Sequence, residues 1–89
     1  MTKALSDEFL VSAPPGTLGV TLQQVSDEFE GSVVLVKNLC EDSPLLGKVE
    51  LGDEMVSING VLVAQLSDAA AQFQSTVGIE RTIKMRRRL

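Results

Sequence analysis

No run of apolar residues in this chain is longer than four, as in Val33–Val36, and several of the apolar stretches alternate with polar residues between turn signals. Alternation with a period of two is typical of strands that bury one face. A helix that spans a membrane needs about 20 apolar residues in succession. The pattern therefore predicts a small, mainly β protein without a membrane span.

The length of the chain limits it to one domain. Its 89 residues allow one small core, which we expect at about 8–87, with tails at 1–7 and 88–89. Apolar residues make up 44% and charged residues 22%, which is typical of a globular protein and not of a disordered one. Aromatic residues make up only 3%, so the core must be aliphatic.

Missing residue types exclude several functions. The chain has no histidine and one cysteine, so it cannot build a Ser-His-Asp or Cys-His catalytic site. A structural zinc site, which needs about four such ligands, cannot form either. The net charge of −4 does not favour nucleic acid as a partner. We therefore predict no enzymatic activity, no cofactor and no bound metal.

The single cysteine, Cys40, cannot form an internal disulfide. This fits a reducing compartment, and no secretory signal peptide is evident, so we expect a cytoplasmic protein. We interpret Cys40 as a small, semi-buried filler.

Six strands are predicted from apolar runs and alternation. They are Phe9–Ser12, Leu18–Val25, Ser32–Leu39, Met55–Ile58, Val61–Val63 and Thr82–Arg86. The Asn59-Gly60 pair between the fourth and fifth strands is a strong hairpin signal.

Two helices are predicted between the strands. Ser43 suits an N-cap and Pro44 the first helical position, and Gly47 would end that helix after one turn. Ser67 would cap a second helix that runs to about Thr76. The expected fold is mainly β with two α-helices, a small and partly open antiparallel β-barrel or sandwich of five to six strands capped by the helices.

Three parts of the sequence resemble the PDZ domain, a module that binds C-terminal peptides. The first is Gly16–Val20, which contains the apolar-Gly-apolar triplet of the family's carboxylate-binding loop. The second comprises Asp42–Gly47 and Leu51–Gly60, with Ser-Pro, Gly-Asp and Asn-Gly at the family's spacing. The third is the last helix and strand. Together they cover about 8–87, and the second makes the resemblance specific.

The resemblance implies that the last residues of a partner add as an antiparallel strand to the second strand, opposite the second helix. Backbone N–H groups that converge in a tight turn can hold the terminal carboxylate. The implied site has a carboxylate loop (Thr17, Leu18, Gly19, Val20), a groove strand (Thr21, Leu22, Gln23) and a groove helix (Leu66, Asp68, Ala70, Phe73). Because Leu18, Val20 and Phe73 would shape an apolar end pocket, we expect ligands that end in an aliphatic residue.

Two features leave the details of this site open. Many PDZ domains place a basic residue shortly before the loop, where this chain has Ala13, Pro14 and Pro15.

The groove helix also has two possible registers. One puts Asp68 at the first groove position, followed by Gln72 and Ser75.

The other register puts Leu66, Ala70 and Phe73 at the groove and makes Asp68 a charge at the helix terminus. The apolar stripe of the helix favours this second register.

Two alternative functions are consistent with the same sequence. The chain resembles in part the peptide-sensing domains of serine proteases of the high-temperature-requirement type. It could also be an unliganded structural domain that dimerises through an edge strand. In addition, Leu89 ends the chain in an aliphatic residue, so a weak head-to-tail self-association through this residue is possible.

Overall fold

The structure is a computed structural model that describes residues 6–28 and 31–88. Its strands are β1 (Ser6–Ala13), β2 (Val20–Asp27), β3 (Gly31–Leu39), β4 (Glu54–Ile58), β5 (Val61–Leu62) and β6 (Arg81–Arg88), and its helix is α1 (Leu66–Ser75). They form a six-stranded sheet in the order β1-β6-β4-β3-β2, with β5 paired to β4. Leu89, to which the possible self-association was assigned, lies outside the described residues.

All pairs of neighbouring strands in this sheet are antiparallel. The prediction of a mainly β fold is confirmed, and each predicted strand is present with ends shifted by a few residues. The predicted partly open barrel or sandwich is instead one open sheet among the described residues, because β1 and β2 form its two edges and do not pair with each other. An open edge leaves backbone N–H and C=O groups of β2 without a neighbouring strand.

The prediction of two helices is wrong, since the described residues contain one. The segment that follows Ser43-Pro44 forms consecutive turns instead, with hydrogen bonds from the N–H of Leu46 to the carbonyl of Ser43 and from the N–H of Lys48 to that of Leu45. A single turn gains too few hydrogen bonds to offset the cost of helix nucleation. The Ser43 hydroxyl also has another acceptor, described below.

The boundaries of the remaining helix differ from the prediction. The N-cap is Gln65, not Ser67, and the last helical residue is Ser75. The reason is Asp68, whose Oδ2 accepts hydrogen bonds from the N–H groups of Ala64 (3.0 Å) and Gln65 (3.1 Å). A carboxylate at the third helical position that reaches back to the N-cap is half of a capping box, and it fixes the start of the helix.

The core is aliphatic, as predicted. It lies between the sheet and α1 and includes Val34, Met55, Ile58, Ala69 and Ile83, each at most 1% exposed. In the part of the chain that the structure describes, no helix is both long enough and apolar enough to cross a bilayer.

The Gly-Asp and Asn-Gly motifs of the sequence stabilise turns of the fold. Asp53 accepts a hydrogen bond from the N–H of Glu50 (2.8 Å) and pairs with Arg87 through both carboxylate oxygens (3.1 and 3.0 Å). Asn59 has a positive φ of 51° and accepts a hydrogen bond from the N–H of Thr82 (2.8 Å). These contacts hold the turns on either side of β4.

Candidate functional site

A groove of about 670 Å³ lies between β2 and α1. Most of its lining is apolar or backbone, and Arg81 is the single charged residue among the described residues that line it. These residues are Gly16, Thr17, Leu18, Gly19, Val20, Thr21, Leu22, Cys40, Leu66, Ala69, Ala70, Phe73, Gln74, Val77 and Arg81. The groove therefore combines an apolar trough with one positive charge.

The loop that leads into β2 is anchored from behind through its carbonyl groups. The carbonyl of Leu18 accepts a hydrogen bond from the hydroxyl of Ser43 (2.5 Å), and the carbonyl of Gly19 accepts one from the N–H of Cys40 (2.8 Å). Ser43 is only 6% exposed, and its hydroxyl also accepts a hydrogen bond from the N–H of Leu45 (3.1 Å). Ser43 thus supports the loop instead of capping a helix.

This anchoring fixes the direction of two N–H groups. In a trans peptide the N–H points opposite to the carbonyl of the preceding residue. Since the carbonyls of Leu18 and Gly19 point to Ser43 and Cys40, the N–H groups of Gly19 and Val20 point the other way, toward the open side of β2. Among the described residues, no hydrogen bond uses the N–H of Leu18 or Gly19. The loop therefore presents unpaired donors at one end of the groove, which suits an anion.

Arg81, which the sequence analysis missed, holds the same end of the groove. The residue is 2% exposed, and its guanidinium donates to four neutral oxygens: Thr76 Oγ1 (2.9 Å), Pro14 O (3.0 Å), Gly16 O (2.8 Å) and Phe73 O (3.2 Å). It also lies 5.5 Å from the centre of the Phe73 ring. One side chain therefore ties the end of α1 to the start of the loop, and no carboxylate of the described residues neutralises its charge.

The alternation of β6 indicates that the side chain of Arg81 is buried. Ile83 and Met85 are buried, and a residue two positions before Ile83 shares their face of the strand. Position 81 was therefore a buried position occupied by a charge. A buried arginine needs several acceptors, and carbonyl groups at a helix C-terminus are suitable ones.

On the helix side, the structure brings Leu66, Ala70 and Phe73 to the groove, together with residues that were not predicted, such as Gln74 and Val77. Asp68 does not line the groove, and its carboxylate lies at the helix terminus. This placement matches the register in which Asp68 is a terminal charge. Whether these residues contact a peptide stays a prediction.

On the strand side, all four residues of the predicted carboxylate loop line the groove, and so do Thr21 and Leu22, whereas Gln23 does not. Cys40 was expected to be a semi-buried filler, but it is exposed and lies on the groove wall. It follows β3 directly, next to the anchored carbonyl of Gly19, and this position leaves its side chain uncovered.

Comparisons with known proteins identify the fold. No family model and no curated protein matches this sequence. Among solved structures, the chain is similar to INAD PDZ3, determined in complex with a TRP channel tail. The TM-score is 0.65 with 20% sequence identity, over 93% of this chain and 87% of that chain. The chain therefore has a PDZ-like fold, as the sequence motifs predicted.

Proposed function

We propose that this chain is a non-catalytic interaction module that binds the free C-terminal residues of partner proteins. A ligand would add as an antiparallel strand along the open edge of β2, opposite α1. The observation that carries this proposal is made at one end of an apolar groove: no hydrogen bond of the described residues uses the N–H groups of Leu18 and Gly19, and those of Gly19 and Val20 point to the open side of β2. The similar domain INAD PDZ3 was solved with a channel tail, which supports peptide partners.

The charge at this end of the groove supports a carboxylate ligand. Arg81 lies beneath the loop, and its partners are neutral oxygens, so its positive charge is available to a nearby anion. In a water-poor pocket such a charge acts more strongly than at the surface. Arg81 thereby takes the place of the basic residue that many PDZ domains have before the loop.

The shape of the groove supports an aliphatic last residue. Leu18, Val20 and Phe73 line its loop end, and each presents apolar surface. Leu66 lines the groove near the other end, which favours an apolar side chain at the third residue from the ligand's end. We also propose a cytoplasmic location, to which the free thiol of Cys40 is suited. The strand β1 before the loop favours a signalling-type module over the protease-associated alternative.

Isothermal titration with a library of peptides that have free C-termini and different last residues tests the proposal. We expect peptides that end in Val, Leu or Ile to bind, and we expect amidation of the same peptides to weaken binding at least about ten-fold, because hydrogen bonds to a charged group contribute roughly 1.5–3 kcal/mol. Equal affinity for the acid and the amide would contradict carboxylate recognition. The matched control is a peptide with the same composition and a scrambled order.

A further inference from the structure

The groove has a defined end on the side away from the carboxylate loop. On the strand its lining stops at Leu22, and on the helix it stops at Leu66. The side chain of Gln24 lies beyond this point and joins the two walls. Its Oε1 accepts a hydrogen bond from the N–H of Leu66 (2.9 Å), while its Nε2 lies 3.5 Å from the hydroxyl of Ser32 on β3.

The bond between Gln24 and Leu66 satisfies a group that would otherwise have no partner. Leu66 is the first residue of α1, and the first four N–H groups of a helix have no acceptor within the helix. Asp68 serves the N–H groups of Ala64 and Gln65 and leaves that of Leu66 to Gln24. The carboxamide thus has a specific acceptor role at the helix N-terminus and is not simply lying on the surface.

The position of Gln24 on β2 determines which residue of a bound peptide its side chain would meet. Side chains two apart on a strand share one face, so Gln24 follows Val20 and Leu22 along the groove. From Gly19 to Leu22 the strand advances about 10 Å, which is enough to pair with about four extended ligand residues. The next residue of a ligand would meet the Gln24 side chain where it crosses to α1.

We propose that Gln24 closes the far end of the groove, so that the domain reads the last four residues of a ligand and excludes the residues before them. This inference rests on the proposed function. A longer ligand has to leave the groove after its fourth residue or displace the Gln24 carboxamide from the N–H of Leu66. The glutamine at position 24 is therefore a specificity-determining residue for ligand length.

The test uses four-, six- and eight-residue peptides that share one C-terminal sequence and have free carboxylates. For the unmodified protein, we expect the longer peptides to bind within about two-fold of the four-residue peptide. In Gln24→Ala the longer peptides should gain about three- to ten-fold, the value of one or two newly formed strand hydrogen bonds, while the four-residue peptide is unchanged.

Two control variants separate this effect from a general change at the surface. Gln23→Ala removes an exposed glutamine that does not line the groove, and it should keep the length profile of the unmodified protein. Gln24→Glu keeps an acceptor at the positive end of α1 and should also keep the length limit. Hydrogen exchange at the N–H of Leu66 should become faster in Gln24→Ala and stay unchanged in Gln23→Ala.

The outcomes distinguish the inference from the function on which it rests. If binding depends on the free carboxylate but affinity in the unmodified protein continues to rise with length, the length limit is wrong and the function stands. The same holds if Gln24→Ala leaves the length profile or the exchange of Leu66 unchanged. If no peptide binds, or if amidation has no effect, both the function and the length limit are overturned.

Discussion

At position 19 both the backbone and the space behind it require glycine. Gly19 has a φ of +63°, and a Cβ added there would lie 3.2 Å from the Cβ of Cys40 and 3.4 Å from that of Ser43. A side chain at this position would therefore push the loop away from its two anchors. It would not extend into the groove.

We expect Gly19→Ala to lower the free energy of unfolding by about 1–3 kcal/mol and to weaken carboxylate-dependent binding, because the loop N–H groups move with their anchors. The control is Gly47→Ala, where φ is +83° but no atom lies within 4 Å of an added Cβ and the groove is not touched. Urea denaturation and peptide titration measure the two effects. Unchanged binding by a folded Gly19→Ala protein would show that the loop is not the site.

Replacing Arg81 is expected to lower the free energy of unfolding. Arg81→Met would leave the carbonyl oxygens of Pro14, Gly16 and Phe73 without their donor. We therefore expect this variant to have a free energy of unfolding that is lower by about 2–4 kcal/mol. Arg81→Lys keeps the charge but cannot reach all four acceptors, because it lacks the planar fork of donors.

Peptide binding by the two Arg81 variants tests whether the charge of Arg81 contributes to affinity. If the charge attracts the ligand carboxylate, Arg81→Lys should bind more tightly than Arg81→Met at a temperature where both are folded. Lys84→Gln is the charge-matched control, since Lys84 does not line the groove. Equal affinities for the two Arg81 variants would leave Arg81 with a structural role alone.

At the scale of the elements, the contacts of Asp68 match one of the two roles that the sequence allowed for it, that of a charge at the helix terminus. Its carboxylate holds the N–H groups of Ala64 and Gln65, so it is engaged at the start of α1. We expect Asp68→Ala to cost about 1 kcal/mol of stability through the lost cap. We also expect Asp68→Lys to leave the ligand's third-from-last preference unchanged. A reversal from basic to acidic residues at that position would contradict this.

The sequence predicted elements well where a pattern was long and local. The alternation of β2 and β6 and the Asn59-Gly60 turn each led to the observed element. The helix predicted at Ser43 failed because its hydroxyl bonds to Leu18, which is 25 residues away in the sequence. A cap motif in the sequence does not reveal such a distant acceptor.

The same limit applies to the site. The four residues of the predicted carboxylate loop are consecutive in the sequence, and the structure places all four on the groove, while their binding of a carboxylate stays a prediction. Arg81 and Gln24 were not predicted because each acts through partners from other elements: Arg81 through Pro14 and Gly16, and Gln24 through Leu66. Their roles depend on contacts between segments that are distant in the sequence, which no local pattern encodes, and the alternation of β6 indicates only that position 81 is buried.

At the scale of the whole molecule, charged residues connect the first and last strands. On β1, Glu8 contacts Arg86 (Nη2 to Oε2, 3.1 Å) and Lys84 (Nζ to Oε1, 3.5 Å) of β6. Arg86 also lies 3.6 Å from Glu54 on β4, and Arg87 lies 4.8 Å from the ring centre of Phe9 on β1. These contacts join the edge strand β1 to the centre of the sheet, so the stability of the fold should respond to acid.

The hydrogen bond from Arg86, followed by the charge of Lys84, lowers the pKa of Glu8 from its ordinary value of 4.5. A carboxyl group with a lower pKa in the folded state stabilises the fold above its unfolded pKa, and the effect is lost as pH falls through the folded pKa. We therefore expect Glu8→Gln to be less stable than the unmodified protein near neutral pH, and we expect the difference to shrink below about pH 4.5. Urea denaturation across this range measures it. Because Glu8 is exposed, high salt should also reduce the difference at neutral pH, and a difference that depends on neither pH nor salt would show that these ion pairs do not hold β1 to β6.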